Sequence, residues 1–395
     1  MLSRPDLAIM LFDLSVTGVA RNAVMIANAA HGAGLRTEIW MGQAAGGLRD
    51  AVHPDIQQRS LGAKLPPGYS RADRRVASEG LTNALATMYQ ERSPAVAFSS
   101  GNHFHDLAAA ARRKLGARAE LCLIGRVSNA APNLMRSQNP LLVLLKRQSA
   151  AKRYAAMDHL VAVSREIRDE LVQKLRISPT KISLIRNGVD TASIDKLSVE
   201  TSPRWPWGDD AEVVLGVGRL VKQKNFDLLI DAFAIARRER PLRLAIIGSG
   251  PDGERERLVE RAASLGIAND VWLPGHLPNP FPYYRGANLF VLSSRWEGMS
   301  NALLEAMACG CPVVAVRSAV GSAEILDNGR YGPLVRPEPE ALERAMLTSL
   351  VDGIPAETLV ARAREFDLAK SMALYVDLLT MHVARARAPR LDPAA

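Results

Sequence analysis

Short apolar runs of strand length alternate with longer stretches of helical period along nearly the whole chain. Leu7 to Leu14 reads as a strand, a loop containing Gly18 follows, and a helical pattern runs from about Val19 to His31, where Gly32 and Gly34 end it. Thr37 to Met41 is the next strand, and Ala95 to Ser99, Leu121 to Ile124 and Leu160 to Val163 continue the alternation. Residues 42–75, rich in Gly, Pro and basic side chains, read as a long irregular insertion. Ile182 to Asp190 reads as a strand leading into a turn. Residues 202–210, rich in Pro and Trp and without a period, are the expected linker. A second series then begins: a strand at Val213 to Val217, a helix at Phe226 to Arg238, a strand at Leu242 to Ile247, a helix at Glu254 to Leu265 and a strand at Val271 to Leu273, followed by strands at 288–294 and 313–316. The pattern therefore predicts parallel-sheet α/β architecture twice over.

The strand at 288–294 runs into Glu297-Gly-Met-Ser-Asn-Ala-Leu-Leu-Glu305. Ser300 or Asn301 suits the N-cap of a helix that reaches about Cys309 and stops at Gly310. Glu297 then lies in the strand-to-helix loop and Glu305 more than one turn inside the helix. The two carboxylates flank unpaired N–H groups that attract an anion. An acid in the first turns of a helix is also favoured by the helix dipole alone. Further on, Gly321-Ser-Ala-Glu-Ile-Leu326 is another helix start whose N–H groups suit the same site, with Glu324 placed for the dipole.

At 395 residues the chain is long for one core and suits two domains. Its 48% hydrophobic and 23% charged residues are ordinary for globular protein. The start, Met-Leu-Ser-Arg-Pro-Asp, lacks the pattern of a signal peptide, and no apolar run approaches the ~18 residues of a membrane span, so a cytoplasmic protein is expected. Three cysteines, Cys122, Cys309 and Cys311, show no metal-ligand spacing and suit reduced, packed thiols. A formal charge of +9 and a pI near 9.7 fit an anionic partner, whether nucleic acid, a phosphorylated substrate or an acidic membrane surface.

The segment Glu297 to Glu305, with the Ala-Met-Ala-Cys-Gly-Cys-Pro-Val-Val-Ala that follows it, resembles the E-x7-E signature of the retaining glycosyltransferases of GT-B fold known as family 4. Gly216-Val-Gly-Arg-Leu-Val-Lys-Gln-Lys-Asn225 resembles the G-R-L-x-x-x-K loop of that family, with Arg219 and Lys224 at the matching positions and Lys222 a basic neighbour without one. The resemblance implies two Rossmann-like parallel-sheet domains facing a central cleft. Residues 1–200 would form the acceptor side, 201–364 the nucleotide-sugar-binding domain, and 365–395 a crossover helix and flexible tail. The periodic stretch Glu365 to His382 would either cross back onto the first domain or pack on its own.

The implied reaction moves a sugar from a nucleotide-diphosphate sugar to a glycan or lipid-linked glycan acceptor with retention of configuration. Such hexosyltransferase-type enzymes serve cell-surface polysaccharide or lipopolysaccharide synthesis. By the same resemblance Glu297 addresses the sugar, Glu305 the nucleotide ribose, and Arg219 and Lys224 the diphosphate, whose charge grows as the bond to the sugar breaks. Gly218, Leu277, Gly298, Met299, Ser300 and Asn301 join them around the donor, with Met299 and Ser300 replacing a frequent aromatic and Gly or Pro. On the first domain, Gly18 stands where a Gly-Gly pair is usual. His103 or His105 is the counterpart of a histidine facing the donor sugar, and Arg126 and Asn129 are candidate contacts to acceptor or donor. No Asp-x-Asp element is visible, so neither a metal nor a cofactor beyond the donor is expected.

Two alternatives stand beside this. A GT-B protein that binds nucleotide or glycan without catalysis would share the fold. Gly248-Ser-Gly-Pro-Asp-Gly253 spells G-x-G-x-x-G after a strand and suits an NAD-dependent oxidoreductase, although Pro251 and Asp252 precede the helix and the segment also suits scaffold. Finally, Leu141-Leu-Val-Leu-Leu145 with Lys146, Arg147, Lys152 and Arg153 joins an apolar run to four cations. It suits either a surface resting on anionic lipid, on the inner face of the membrane, or a partly buried helix with a solvated edge. Nucleic acid is not an expected partner.

Overall fold

The computed structural model describes residues 4–62, 71–116, 121–129, 139–317 and 321–388, with the side chains of 71–77, His103 and Pro140 outside that description. The expected flexible tail lies outside it from residue 389 onward. The chain divides into two compact units, Met1–Arg186 with Lys370–Ala395, and Asn187–Ala369.

The first unit holds a seven-stranded parallel sheet in the order β3-β2-β1-β4-β5-β6-β7, formed by β1 (Leu7–Leu11), β2 (Thr37–Met41), β3 (Gln57–Ser60), β4 (Val96–Ser99), β5 (Cys122–Val127), β6 (His159–Ala162) and β7 (Ile182–Leu184). The interior strand β1 sets Met10 beside Trp40 and Ser99. Helices α1 (Gly18–Gly32), α2 (Arg71–Arg92), α3 (Asn102–Leu115), α4 (Pro140–Ala155) and α5 (Arg165–Asp169) connect the strands. Strands β1, β2 and β4 are buried along their whole length; β1 reads as an unbroken apolar run, while β2 carries Glu38, whose charge is met by Arg59 and Arg92. β3, Gln-Gln-Arg-Ser, is a half-exposed polar edge and falls inside the stretch expected to be irregular.

The second unit holds a six-stranded parallel sheet, β10-β9-β8-β11-β12-β13, from β8 (Val213–Val217), β9 (Arg243–Ile247), β10 (Val271–Gly275), β11 (Leu289–Leu292), β12 (Val313–Val316) and β13 (Leu334–Val335). Its helices are α6 (Thr191–Val199), α7 (Phe226–Glu239), α8 (Glu254–Ser264), α9 (Phe281–Gly286), α10 (Asn301–Ala308), α11 (Ser322–Ile325), α12 (Pro339–Val351) and α13 (Ala356–Arg364). A last helix, α14 (Leu368–Arg387), begins here and continues into the first unit.

The division of the chain differs from the expected linker. Helix α6 belongs to the second unit, where Asn279 Nδ2 donates to the Leu197 carbonyl at 2.9 Å and Arg285 pairs with Asp195. Trp205 is only 8% exposed and meets the rings of Trp272 and Tyr283 edge to face, so the otherwise largely exposed segment 202–210 is anchored to the second unit. The chain therefore changes units at Arg186/Asn187, before α6.

Helix α14 seals the first unit. Tyr375, Leu378, Leu379 and Val383 join the core built by β1, α1 and their neighbours, and the Tyr375 ring stands edge-on to Phe98 at 6.0 Å. Ser371 Oγ donates to the Arg186 carbonyl at 2.6 Å. All three cysteines are free thiols. Burial pushes Cys122 and Cys309 each up to about 12 and Cys311 higher, in keeping with packed, unreactive groups.

Candidate active site

The second unit brings its two sequence motifs together at the C-terminal ends of adjacent strands, where parallel sheets place their ligands. β8 feeds the loop carrying Arg219 to Lys224, and β11 feeds the loop carrying Glu297. Four hydrogen bonds stitch the loops to one another. The Arg295 N–H donates to the Gln223 carbonyl at 2.8 Å, Gln223 Nε2 to the Trp296 carbonyl at 3.0 Å, Ser293 Oγ to the Lys224 carbonyl at 2.9 Å, and Arg295 Nε to Asn225 Oδ1 at 2.8 Å. Asn225, in the left-handed region at φ 56°, turns the chain into α7.

Within this frame Lys224 Nζ lies 2.7 Å from Glu297 Oε1, and Ser294 Oγ donates to the same oxygen at 2.7 Å. Both charged side chains are largely buried, at 15% and 9% exposure. The lysine stem crosses Gly218, where a Cβ would meet Lys224 Cε at 2.9 Å, so the glycine makes room for the cation. Arg219 is exposed at the same loop and its guanidinium has no partner among the described residues. Lys222 is exposed as well.

Helix α10 begins where expected. Ser300 is its N-cap and accepts from the Leu303 N–H, which commits its hydroxyl to the cap. Asn301 Oδ1 and the Met299 carbonyl both accept from Asn187 Nδ2, at 2.8 and 3.1 Å, and Met299 is buried. Gly321 lies against this loop so closely that a Cβ there would fall 2.2 Å from the Gly298 carbonyl oxygen. One turn along α10, Glu305 Oε2 accepts from the hydroxyl of the fully buried Tyr284 at 3.2 Å. Asn187, Tyr284 and Ser294 were not among the expected site residues. An Asn-Gly turn was the only sequence signal for Asn187, and Tyr284 left none.

The G-x-G-x-x-G segment supports this loop. A Cβ on Gly248 would lie 1.9 Å from the Gly218 carbonyl oxygen, and one on Gly250 would lie 2.3 Å from that of Leu220. The Gly218 N–H donates to Ile247 and the Leu220 N–H to Ser249, while the Gly248 N–H reaches the Gly275 carbonyl at the base of the loop bearing half-buried Leu277. Two of the three glycines are thus accounted for by backbone packed on backbone, which is the scaffold reading.

In the first unit, Gly18 is the first residue of α1, and its N-cap Thr17 accepts from the Ala20 N–H. A Cβ on Gly101 would touch Val19 at 3.0 Å, so this turn and the start of α3 are close-packed. His103 lies in the first turn of α3, its side chain outside the described part. His105 is fully buried, with Nδ1 2.6 Å from Ser99 Oγ, and Arg126 is 1% exposed, its Nε donating to the Tyr375 hydroxyl at 3.0 Å. Both side chains are buried, where they tie strands to helices. Asn129 is half-buried and its carbonyl accepts from Asn102 Nδ2 at 2.9 Å. Among the described residues one group of metal-ligating types converges, His31, His53 and Asp55, with ligand atoms within 4.8 Å of one another. It lies at the far end of α1 from Gly18.

Comparison with known proteins bears on both halves of the chain. The family model described as Glycosyltransferase Family 4 matches residues 16–193, and that described as Glycosyl transferases group 1 matches residues 211–352. The N-acetylgalactosamine-N,N'-diacetylbacillosaminyl-diphospho-undecaprenol 4-alpha-N-acetylgalactosaminyltransferase of Campylobacter jejuni is 30% identical over 222 residues, which cover 56% of this chain and 58% of that enzyme. The chain spans about half of the length of the curated relatives it matches. Among solved structures, the sucrose-phosphate synthase of Thermosynechococcus elongatus superposes with a TM-score of 0.77 at 19% identity, over 97% of this chain and 100% of that one. HepE of Anabaena, in complex with UDP and glucose, does so with a TM-score of 0.74 at 18% identity, over 95% and 99%. With a family profile on each of its two parallel-sheet units and the GT-B fold shared with these structures, the chain belongs to the family-4-type glycosyltransferases.

Proposed function

We propose that the protein transfers a hexosyl group from a nucleoside-diphosphate sugar to a hydroxyl of a glycan or lipid-linked glycan, with retention of configuration, in the synthesis of a cell-surface polysaccharide or lipopolysaccharide. The observation that carries this reading is the Lys224–Glu297 pair, a largely buried cation and carboxylate 2.7 Å apart that join the two motif loops. An ammonium has three donors, so Lys224 can hold Glu297 with one and offer the others to a diphosphate. Arg219, exposed on the same loop, adds a second cation. As the bond from the sugar to the diphosphate breaks, negative charge grows on the leaving group, and cations fixed beforehand stabilise that state more than the ground state. Glu297 faces the positive charge that develops on the sugar, and the Tyr284 hydroxyl orients Glu305 toward the ribose.

Two features support the rest. The relative from Campylobacter jejuni bears a name with a diphospho-undecaprenol acceptor, which favours a lipid-linked acceptor here. Helix α4 carries Lys146, Arg147, Lys152 and Arg153 and no acid, and we assign to it an anionic membrane surface as partner. No described helix is long and apolar enough to cross a membrane, so such a contact is peripheral.

The test is a panel of uridine- and guanosine-linked sugars, read by release of nucleoside diphosphate and by thermal shift. Release with one donor, abolished in Glu297→Gln, is expected. Binding without release under every acceptor tried favours a non-catalytic binder, and neither binding nor release overturns the reading.

A further inference from the structure

Helix α4 leaves apolar surface uncovered in a way no other described helix does. Leu141, Leu142, Leu144 and Leu145 are 62%, 47%, 48% and 52% exposed, whereas no other described helix carries more than two exposed large hydrophobics, as α14 does with Leu374 and Met381. Residues four apart share a helix face, and nine apart lie opposite one another. Buried Ala150 and Tyr154 mark the inward face, so Leu141 and Leu145 stand on the outward one, with exposed Lys152 two turns further along the same stripe. The helix is firmly started, by Pro140 in its first turn and by Asn139, whose side chain accepts from the Leu141 and Leu142 N–H groups.

The four cations divide into two kinds. Arg147 Nε donates to the Lys174 carbonyl, and Arg153 pairs with Asp106 at 2.7 Å, so both are turned back onto the unit. Lys146 and Lys152 are exposed and have no partner among the described residues. The outward face thus presents Leu141, Leu145 and Lys152, flanked by Leu142 and Leu144, while exposed Lys146, four residues before Ala150, stands to the side of it, and no acid occurs anywhere on the helix. An acidic protein partner would match the lysines, but protein contacts are usually anchored by aromatic and arginine side chains in fitted pockets, and this face has neither. An anionic bilayer supplies both layers at once, acyl chains for the leucines and headgroups for lysines whose long stems reach past them.

We propose that the N-terminal half of α4 is an interfacial helix that inserts Leu141, Leu142, Leu144 and Leu145 at the headgroup–acyl boundary of an anionic bilayer, while Lys152, on the same stripe, lies among the headgroups and Lys146 reaches them from the side along its stem. This rests on the membrane contact proposed for the cations and adds apolar insertion to it. It also orients the first unit, because the inserted face is the one opposite Ala150 and Tyr154.

The experiment is co-sedimentation of the full chain with vesicles of phosphatidylcholine containing phosphatidylglycerol, at about 0.1 M and 0.5 M salt, since exposed charges are largely screened at the higher value. The expected result is binding that persists in part at high salt and falls at least tenfold in Leu141→Ser/Leu145→Ser, with thermal stability unchanged because both leucines are exposed. A tryptophan placed by Leu145→Trp should shift its emission to the blue on vesicles. Binding abolished by salt and indifferent to the leucine changes overturns insertion and leaves charge adsorption standing. No sedimentation at either salt overturns both.

Discussion

Replacing Lys224 by methionine tests whether the buried pair belongs to the reaction or to the fold. The change removes the charge, keeps most of the stem that crosses Gly218, and leaves Glu297, 9% exposed, with the Ser294 hydroxyl as its hydrogen-bond partner. Removing one partner of a buried ion pair typically costs about 3 to 5 kcal/mol. The Ser294 hydrogen bond holds the cost near the lower end, about 3 kcal/mol, or roughly 6 to 12 °C in Tm for a domain of this size. Glu297→Gln should cost less, on the order of 1 to 2 kcal/mol, because Lys224 at 15% exposure can turn toward water. The double variant removes both charges and should recover most of the lost stability, since a buried pair replaced as a whole is often close to neutral. Its turnover should not recover. Each single variant is expected to lose at least tenfold in nucleoside-diphosphate release, about 1.4 kcal/mol of transition-state stabilisation, and the double variant at least as much. Denaturant midpoints and a coupled release assay give the two quantities separately. Destabilisation in the double variant equal to the sum of the singles removes the coupling, and near-normal turnover in both singles removes the site.

Three further outcomes are expected. Gly248→Ala should destabilise by at least about 2 kcal/mol and weaken nucleotide binding, because its Cβ would lie 1.9 Å from the Gly218 carbonyl oxygen; Gly253→Ala, with open space around it, should lose about 1 kcal/mol through its φ of +79° and leave affinity unchanged, and equal effects in urea titrations would contradict the scaffold role. Tyr284→Phe should weaken binding of the free nucleoside diphosphate several-fold through loss of the 3.2 Å bond to Glu305, and unchanged affinity by calorimetry counts against the ribose assignment. Burial, with His382 and Arg385 beside it, pushes His159 down from 6.5 to about 4. Between those values the unfolded chain takes up a proton that the folded one refuses, so stability should fall as pH drops from about 6.5 to 4, by up to about 3 kcal/mol, and His159→Gln should flatten that slope in denaturant titrations.

The parts of this molecule that were legible in its sequence are those written by local chemistry. Strand β1, buried on both faces, shows as an apolar run, and residue type narrowed the cap of α10 to Ser300 or Asn301, of which Ser300 takes the place. The approach of Lys224 to Glu297 follows once the two loops are placed on the adjacent strands β8 and β11. What was hidden depends on partners distant in sequence. β3 is polar because one side of an edge strand meets water, so it has no apolar alternation to find. The partners of Arg126 and His105, Tyr375 and Ser99, are set by the fold and leave no local mark in the sequence. The 202–210 segment looks like a linker by composition, and only Trp272 and Tyr283, far along the chain, make Trp205 a core residue.

The path of α14 has a consequence for how the protein is made. The first unit needs Tyr375, Leu378, Leu379 and Val383 to complete its core, yet these residues emerge from the ribosome only after the whole of Asn187–Ala369. At ~5–20 residues per second that interval is roughly 10 to 40 s. Throughout it the nascent first sheet stands with an apolar face unsealed while the second unit, continuous in sequence, is free to fold. Synthesis should therefore finish the two units in the reverse of the order in which they begin. Chaperone capture and premature termination should bear chiefly on the amino-terminal half.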